Sequence, residues 1–91
     1  MDIINSLLRP SDQAIESSVG DETVLLNLEN GTYYGLDPVG TRIWALLKEG
    51  LSPAAICPVL VAEYEVEAEV IENDLRRFLT DLKAHGIVID G

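Results

Sequence analysis

The side chains that could perform chemistry are few in this sequence and lie apart from one another. The single histidine, His85, falls in the last turn of a predicted helix, and the single cysteine, Cys57, lies within an apolar helical pattern. A histidine at that position favours capping of the helix dipole, and a free cysteine in an apolar pattern is usually a small buried hydrophobe. With one histidine and no nucleophile near it, acyl-transfer catalysis is not expected.

Carboxylates are abundant, but their spacing is not that of a metal site. The chain has 16 acidic residues against 6 basic ones, and the acids are scattered along helix faces without the pattern of a calcium-binding loop. Gly31, Gly35 and Gly40 have turn or helix-start explanations, so no phosphate-binding loop is predicted. The sequence therefore predicts no catalytic centre, no cofactor and no metal.

The charge balance limits the partners. A formal net charge of −10 over 91 residues would repel a phosphate backbone and an anionic membrane surface. The N-terminal residues 1–10 contain an acid and only a short apolar cluster, which fits neither a signal peptide nor a spanning helix. No nucleic-acid partner and no membrane association are expected, and the expected location is cytoplasmic.

One domain is expected from this length, since 91 residues can build one core but not a deep cleft between two lobes. Its predicted parts, in chain order, are an N-terminal extension over 1–10, a sheet over 11–36, three helices over 37–86 and a C-terminal segment over 87–91. A small binding module fits this size better than a complete enzyme.

A predicted hairpin passes directly into a helix in the middle of the chain. Asn30-Gly31 is typical of two-residue hairpin turns, and the predicted arms are residues 25–28 and 32–36. Asp37 can cap the following helix, and Pro38 fits its first position because the missing N–H costs nothing there.

Three strands are predicted before that helix, over residues 11–19, 22–28 and 32–36. The second strand places Val24, Leu26 and Leu28 on one face and Thr23, Leu25 and Asn27 on the other. Leu25 breaks strict alternation, so both faces can be partly covered. In a meander the third strand lies at an edge, where its free amides and carbonyls can receive an extended peptide. The alternative is that a helix or loop covers this edge, and the sequence does not decide between the two.

Three helices are predicted next, over residues 38–49, 52–64 and 68–85. Trp44 is predicted in the core, and Pro58 is predicted to kink the second helix unless that helix begins later. The third helix has an apolar stripe at helical spacing, formed by Ile71, Leu75, Phe78, Leu79 and Leu82. Phe78 lies at the margin of the stripe beside acidic residues, so this helix could wall one side of a groove. An ordinary solvated face is the alternative.

This order of elements indicates an α+β fold, winged helix-turn-helix-like, with a three-stranded antiparallel sheet followed by three helices. In a DNA-binding member of that class, one helix would present basic and amide side chains to the major groove. The third predicted helix carries more acidic than basic residues, so DNA binding is disfavoured.

The ordered set of these features resembles the PqqD-like family, the recognition elements of ribosomally made, post-translationally modified peptides. The resemblance covers about residues 22–89, and it is carried by 24–28, 31–40 with Ile43-Trp44, Gly50 and 74–87. A strand ending in Tyr-Tyr-Gly-Leu followed by Asp-Pro-Val-Gly, in a short chain, is most similar to the stand-alone leader-binding proteins of lasso-peptide biosynthesis.

The resemblance implies a non-catalytic role, in which the protein binds the leader segment of a precursor peptide and delivers it to a separate cysteine leader peptidase. The leader would add as an antiparallel strand to the third strand, in the groove between that strand and the third helix. Carried over by position, the peptide-binding residues are Thr32, Tyr33, Tyr34, Gly35, Leu36, Val70, Asp74, Leu75, Arg77 and Phe78. Two alternatives stay open: a PqqD-type peptide chaperone for a radical enzyme in quinone-cofactor biosynthesis, and an acidic winged-helix regulator.

Overall fold

Four strands, three helices and a final strand follow one another along residues 2–91, the part of the chain that this computed structural model describes. A short 3-10 helix covers Ile3–Asn5. The strands are β1 (Leu8–Pro10), β2 (Ala14–Val19), β3 (Glu22–Asn27), β4 (Tyr33–Leu36) and β5 (Val88–Asp90), and the helices are α1 (Pro38–Lys48), α2 (Pro53–Tyr64) and α3 (Ala68–Ala84). The predicted α+β fold, with a three-stranded antiparallel sheet followed by three helices, is confirmed.

The three-stranded sheet has the order β2-β3-β4 with both pairs antiparallel, so β4 is an edge strand. One face of this sheet joins the core, where Leu25 in β3 is fully buried and Leu36 in β4 is nearly so. Val24 and Leu26 on the opposite face stay partly exposed. The break in alternation at Leu25 therefore marks the core side of the sheet. β2 begins at Ala14 rather than at residue 11.

The predicted two-residue turn between β3 and β4 is wrong. The connection spans residues 28–32, and within it only Gly31 has a positive φ, of 73°. The Asn30 side chain instead accepts a hydrogen bond from the Thr32 N–H at 3.0 Å, which builds a wider loop. Leu28 leaves the strand as a result, and its side chain is exposed.

Asn27 explains why β3 stops before Leu28. Its buried side-chain amide donates a hydrogen bond to the His85 carbonyl oxygen at 2.8 Å, and its Oδ1 accepts one from the Glu29 N–H at 2.9 Å. These bonds turn the chain out of the strand and attach the loop to the end of α3. A Cβ at Gly86 would lie only 2.7 Å from the Asn27 amide nitrogen, so this close approach requires glycine.

The two ends of the chain form a second sheet, which the sequence did not predict. β1 pairs antiparallel with β5, with Leu8 opposite Asp90, and both Leu8 and Val88 are buried. The Arg76 guanidinium in α3 also donates hydrogen bonds to the Asp2 carboxylate at 2.8 and 3.0 Å, which lowers the pKa of Asp2. Strands this short carry too few residues to show alternation, and their pairing joins opposite ends of the sequence.

The first two helices begin at the caps that the sequence predicts. The Asp37 carboxylate accepts a hydrogen bond from the Gly40 N–H at 2.7 Å, and the Ser52 hydroxyl accepts one from a first-turn N–H at 3.2 Å. α2 continues through Pro58 without a later start. Pro58 and Ala54, whose carbonyl loses its helical donor, are both exposed, so water can bond that carbonyl. None of the helices in residues 2–91 is long and apolar enough to cross a membrane.

Glu16 joins the sheet to α1 through two hydrogen bonds. Its carboxylate accepts one from the indole N–H of Trp44 at 2.8 Å and one from the Lys48 ammonium at 2.6 Å. The Trp44 ring is buried, as the sequence predicts, so this bond satisfies its only polar atom. The pKa of Glu16 lies below its ordinary value of 4.5. The hydrogen bond from Lys48 is the largest cause, and the hydrogen bond from Trp44 lowers the pKa further.

The lowered pKa of Glu16 predicts a pH-dependent part of the stability. Because the folded carboxylate binds its proton less readily than the unfolded one, its contribution is present above pH 4.5 and is lost as the pH falls through the lower folded pKa. Glu16→Gln still accepts from Trp44 but loses the ion pair with Lys48. We expect it to cost about 1 kcal/mol or less at neutral pH, since both groups are partly exposed, and to flatten the acid side of the stability curve. Urea unfolding of both proteins at a series of pH values checks this. If the free energy of unfolding falls below pH 4.5 with the same slope in Glu16→Gln as in the wild type, the prediction is contradicted.

Candidate functional site

The edge of the three-stranded sheet at β4 is open to solvent. In residues 2–91, β4 pairs with a strand on one side only, β3, and both Tyr33 and Gly35 are exposed. The sequence left open whether a helix or loop covers this edge. At Tyr33 and Gly35 the structure shows that the edge is uncovered. A row of unpaired backbone groups on a short edge strand is a site where a further strand can pair.

The register of the β3–β4 ladder identifies which backbone groups are free. The Asn27 N–H donates to the Thr32 carbonyl at 2.9 Å, and the pairing continues with Leu25 opposite Tyr34. Hydrogen-bonded and non-bonded pairs alternate in an antiparallel ladder, so Tyr34 and Leu36 direct their N–H and C=O groups towards β3. Tyr33 and Gly35 direct theirs away from it. We call the amides and carbonyls of Tyr33 and Gly35 the free edge.

A cavity of about 270 Å³ lies beside the free edge, between β4, α3 and the start of α1. We call it the β4–α3 cavity, and its lining residues are Tyr34, Asp37, Val39, Gly40, Ile43, Asp74, Arg77, Phe78 and Asp81. Tyr34 faces this cavity because side chains alternate along β4, whereas Tyr33 lies on the opposite face of the sheet. The cavity is large enough for one or two side chains of a peptide, not for a drug-sized ligand.

Phe78 is the principal aromatic wall of the β4–α3 cavity. Its ring packs edge-to-face on the Tyr34 ring, with centroids 5.9 Å apart and an interplanar angle of 73°. Its other side meets α1 closely, since a Cβ built at Gly40 would lie 3.1 Å from Phe78 Cε1. Gly40 thus lets α1 approach α3 and leaves the Phe78 ring between the helix and the open cavity.

The charged residues around the cavity are mainly acidic. Asp37, Asp74 and Asp81 contribute carboxylates, and Arg77 is the basic residue of the lining, 3.9 Å from Asp74. The Tyr34 hydroxyl donates a hydrogen bond to the Asp81 carboxylate at 3.2 Å. Burial, and then the nearby Asp81 charge, raise the pKa of Tyr34 above its ordinary value of 10.0, so the hydroxyl keeps its proton at neutral pH. The apolar floor is therefore rimmed by groups that favour hydrogen-bond donors or a basic side chain.

The structure brings most of the residues predicted for a peptide site to this region. Those that line the β4–α3 cavity are Tyr34, Asp74, Arg77 and Phe78, and those that form the free edge are Tyr33 and Gly35. The other four have different positions. Thr32 precedes β4, Leu36 and Leu75 are buried in the core, and Val70 is 49% exposed on α3 outside the cavity lining.

Sequence reasoning missed the contribution of α1 to the cavity. Val39, Gly40 and Ile43 share one face of the helix that follows β4, and Asp37 caps that helix. In the sequence, Gly40 was explained as a helix start, and Val39 and Ile43 were not considered for the site. Asp81 lies one turn beyond Phe78 on α3, on the flank shared with Asp74, and that spacing could have indicated it.

A comparison with known sequence families finds a match over most of the chain. Residues 22–88 match the sequence model of the family described as coenzyme PQQ synthesis protein D (PqqD), and this match spans more than half of the chain. The chain belongs to the PqqD family. The resemblance stated from the sequence is thereby confirmed. A comparison with curated proteins finds no match.

Two solved structures resemble this PqqD-family chain closely. TbiB1 in complex with the TbiA(beta) leader peptide is 45% identical, with a TM-score of 0.81, and the similarity covers 88% of this chain and 93% of TbiB1. Lasso peptide synthetase B1 complexed with the leader peptide is 30% identical, also with a TM-score of 0.81, covering 92% and 99% of the two chains. Both relatives are B1-type proteins described with a leader peptide bound.

Proposed function

We propose that this protein binds the leader segment of a ribosomally made precursor peptide, of the lasso type, as an added strand on the free edge of β4. The observation that carries the proposal is the placement of unpaired backbone groups at Tyr33 and Gly35 directly beside a cavity walled by Tyr34 and Phe78. Backbone pairing tolerates many sequences, whereas side-chain pockets at alternate positions select among them. The chain offers both features at one place.

The geometry defines how a bound leader would present its side chains. Residues directly opposite each other in an antiparallel pair have their side chains on the same face of the sheet. The leader residue opposite Tyr34 would therefore point towards the β4–α3 cavity, and its two neighbours in sequence would point to the face that carries Tyr33. An apolar or aromatic residue suits the first position, because Phe78 and Tyr34 form its walls.

The proposed role is non-catalytic delivery. The leader is held for a separate cysteine leader peptidase, which would remove it in the cytoplasm. The relatives favour the lasso type over the quinone-cofactor alternative, because two B1-type structures with bound leaders match at 45% and 30% identity over most of this chain. Neither comparison includes a peptidase, so delivery rests on the resemblance to lasso systems.

The acidic winged-helix regulator is the competing function. A formal charge of −10 opposes a duplex, and the helix that borders the cavity presents Asp74 and Asp81 there. The two candidates differ in their salt dependence. Strand addition to a peptide depends weakly on salt, whereas DNA affinity falls steeply as salt rises.

Titration of a fluorescently labelled synthetic leader tests the proposal. The leader is taken from the precursor peptide of the same biosynthetic system, and anisotropy is followed against the full-length protein at low and moderate salt. We expect saturable binding with a Kd in the micromolar range or below. A lack of saturation at micromolar protein would overturn the proposal. So would binding to a DNA duplex instead of the leader, with an affinity that falls steeply as the salt concentration rises.

Gly40→Ala tests whether the β4–α3 cavity holds a leader side chain, because it adds a methyl group to the part of α1 that lines the cavity. The added Cβ would lie 3.1 Å from Phe78 Cε1 and 3.2 Å from the Asp37 carboxylate, so the ring must move towards the open cavity. Alanine favours the helix by up to about 1 kcal/mol, which offsets the crowding, so the melting temperature should change little. Leader affinity should fall about fivefold, or about 1 kcal/mol, because the cavity is narrower. Equal affinities of the variant and the wild type would contradict the placement of peptide side chains in this cavity.

A further inference from the structure

Three side chains from the end of β3 and the loop after it converge on one backbone carbonyl at the end of α3. The Asn27 amide nitrogen lies 2.8 Å from the His85 carbonyl oxygen, and the Asn30 amide nitrogen lies 3.3 Å from it. The Thr32 hydroxyl, at 3.5 Å from the same oxygen, is the most distant of the three. The last carbonyls of a helix have no donor within the helix, so these side chains supply the missing partners. They hold the start of β4 against the end of α3.

Asn27 makes the shortest of these contacts, and it is the only polar residue that is buried in residues 2–91. Both ends of its amide are paired, since Oδ1 accepts a hydrogen bond from the Glu29 N–H while Nδ2 donates to the His85 carbonyl. An apolar side chain of similar size would avoid the cost of burying an amide. What the amide adds is rigidity, because a fully paired buried polar group specifies one arrangement of the elements that it joins.

The walls of the β4–α3 cavity depend on that arrangement. Asn27 lies on the same face of the sheet as Tyr34, because it is two residues beyond Leu25, which pairs with Tyr34. The Tyr34 ring packs edge-to-face on the His85 ring, with centroids 5.4 Å apart, and on the Phe78 ring at 5.9 Å. The bond from Asn27 to the His85 carbonyl therefore joins the β4 wall of the cavity to its α3 wall.

The separation at the other end of β4 is fixed by α1, which follows β4 directly. α1 lies close to α3 there, since a Cβ built at Gly40 would be 3.1 Å from Phe78 Cε1. The groove is thus fixed at both ends and open between them. Because packed elements leave little free volume, a small shift of β4 against α3 changes which side chain fits between them.

We infer that Asn27 is a positioning residue that sets the width of the β4–α3 cavity, and through it the size of the leader side chain that the protein prefers. This inference rests on the proposed function and adds to it the residue that governs selection among leaders. Asn27 is not part of the cavity lining, so it acts through Tyr34 and α3. Backbone pairing at the free edge needs no fixed cavity width. Selection depends on Asn27, whereas pairing does not.

The test measures the discrimination between two labelled leaders. One leader is unchanged, and the other has alanine at the apolar position where alanine weakens wild-type binding most. The ratio of their Kd values is the discrimination ratio, and it is measured for the full-length wild type, Asn27→Leu and Asn30→Ala. Leucine fills a volume close to that of asparagine but cannot donate to the His85 carbonyl. Asn30 is exposed, so Asn30→Ala removes the second donor at little cost in stability.

We expect the wild type to prefer the unchanged leader at least tenfold, because alanine gives up the burial of an apolar side chain. In Asn27→Leu the discrimination ratio should fall to about threefold or less, with the affinity for the alanine leader within about twofold of wild type. Asn30→Ala should lower the ratio by about half. Leu8→Ala is the control for lost stability, since Leu8 is buried in β1 outside the cavity lining. It reduces the folded fraction for both leaders equally and should keep the wild-type ratio.

A wild-type discrimination ratio in the folded Asn27→Leu and Asn30→Ala variants overturns the inference and leaves leader binding intact. If Asn27→Leu does not fold, the ratio of Asn30→Ala decides alone. A wild type that binds every alanine-substituted leader as tightly as the unchanged one has no selection for Asn27 to set, which also overturns the inference. Failure of the wild type to bind any leader overturns the proposed function instead.

Discussion

Gly35→Pro should reduce leader affinity at least thirtyfold, or about 2 kcal/mol, while the protein stays folded. Gly35 has its N–H and C=O on the free edge, so proline removes one donor to the added strand and places its ring where that strand must lie. Proline is tolerated on an edge strand when the lost N–H faces solvent, so the β3–β4 pairing should survive. Titration with labelled leader measures the affinity, and thermal unfolding monitored by circular dichroism verifies the fold.

Gly35→Ala is the matched control for the proline variant. Gly35 does not have a positive φ, and a Cβ there would meet nothing within 4 Å, so alanine should fit without strain. It keeps the N–H, and leader affinity should stay within about threefold of wild type. A proline variant that is folded and binds as tightly as the alanine variant would show that the leader does not pair with β4.

Phe78→Ala should weaken leader binding by about 2 kcal/mol or more, close to thirtyfold. The side chain walls the β4–α3 cavity and holds Tyr34 by an edge-to-face contact at 5.9 Å. Its removal deletes the apolar contact for a leader side chain and also lets Tyr34 move. Because Phe78 packs partly against the core, some loss of stability is expected as well, so binding is compared at a temperature where the variant is fully folded.

Phe78→Leu separates the two effects of that truncation. Leucine restores much of the apolar contact with the core but lacks the aromatic face. Relative to Phe78→Ala, the free energy of unfolding should therefore recover more fully than the affinity for leader. Equal recovery of both would indicate that Phe78 acts through packing alone. An alanine variant with wild-type leader affinity would remove the β4–α3 cavity from the binding site.

The order and ends of the helices were predictable because their signals are local. Asp37 with Pro38 and Ser52 with Pro53 begin α1 and α2, and the apolar stripe of α3 gives its extent within a residue. The β3–β4 loop was predicted wrongly because Asn27 bonds to the His85 carbonyl, a contact between residues far apart in sequence. The β1–β5 pair escaped prediction for the same reason, as it joins the two ends of the chain.

The part of the site that depends on the alternation of side chains along β4 was predictable from the sequence. The edge position of β4 follows from chain order, and the opposite orientations of Tyr33 and Tyr34 follow from the pleat. Which β3 residue lies opposite each β4 residue could not be predicted, because the longer loop sets the register of the ladder, in which Leu25 lies opposite Tyr34. The role of Gly40 needs the approach of α1 to Phe78, which only the packed structure defines.

Amide hydrogen exchange of β4, with and without leader, tests the central claim most directly. The Tyr34 and Leu36 amides point towards β3, so they should be protected in both states, whereas the Tyr33 and Gly35 amides point to the free edge. Our account predicts that saturating leader slows exchange of the Tyr33 and Gly35 amides by about tenfold or more and changes Tyr34 and Leu36 much less. Tight leader binding that leaves the exchange of the Tyr33 and Gly35 amides unchanged would contradict strand addition at β4.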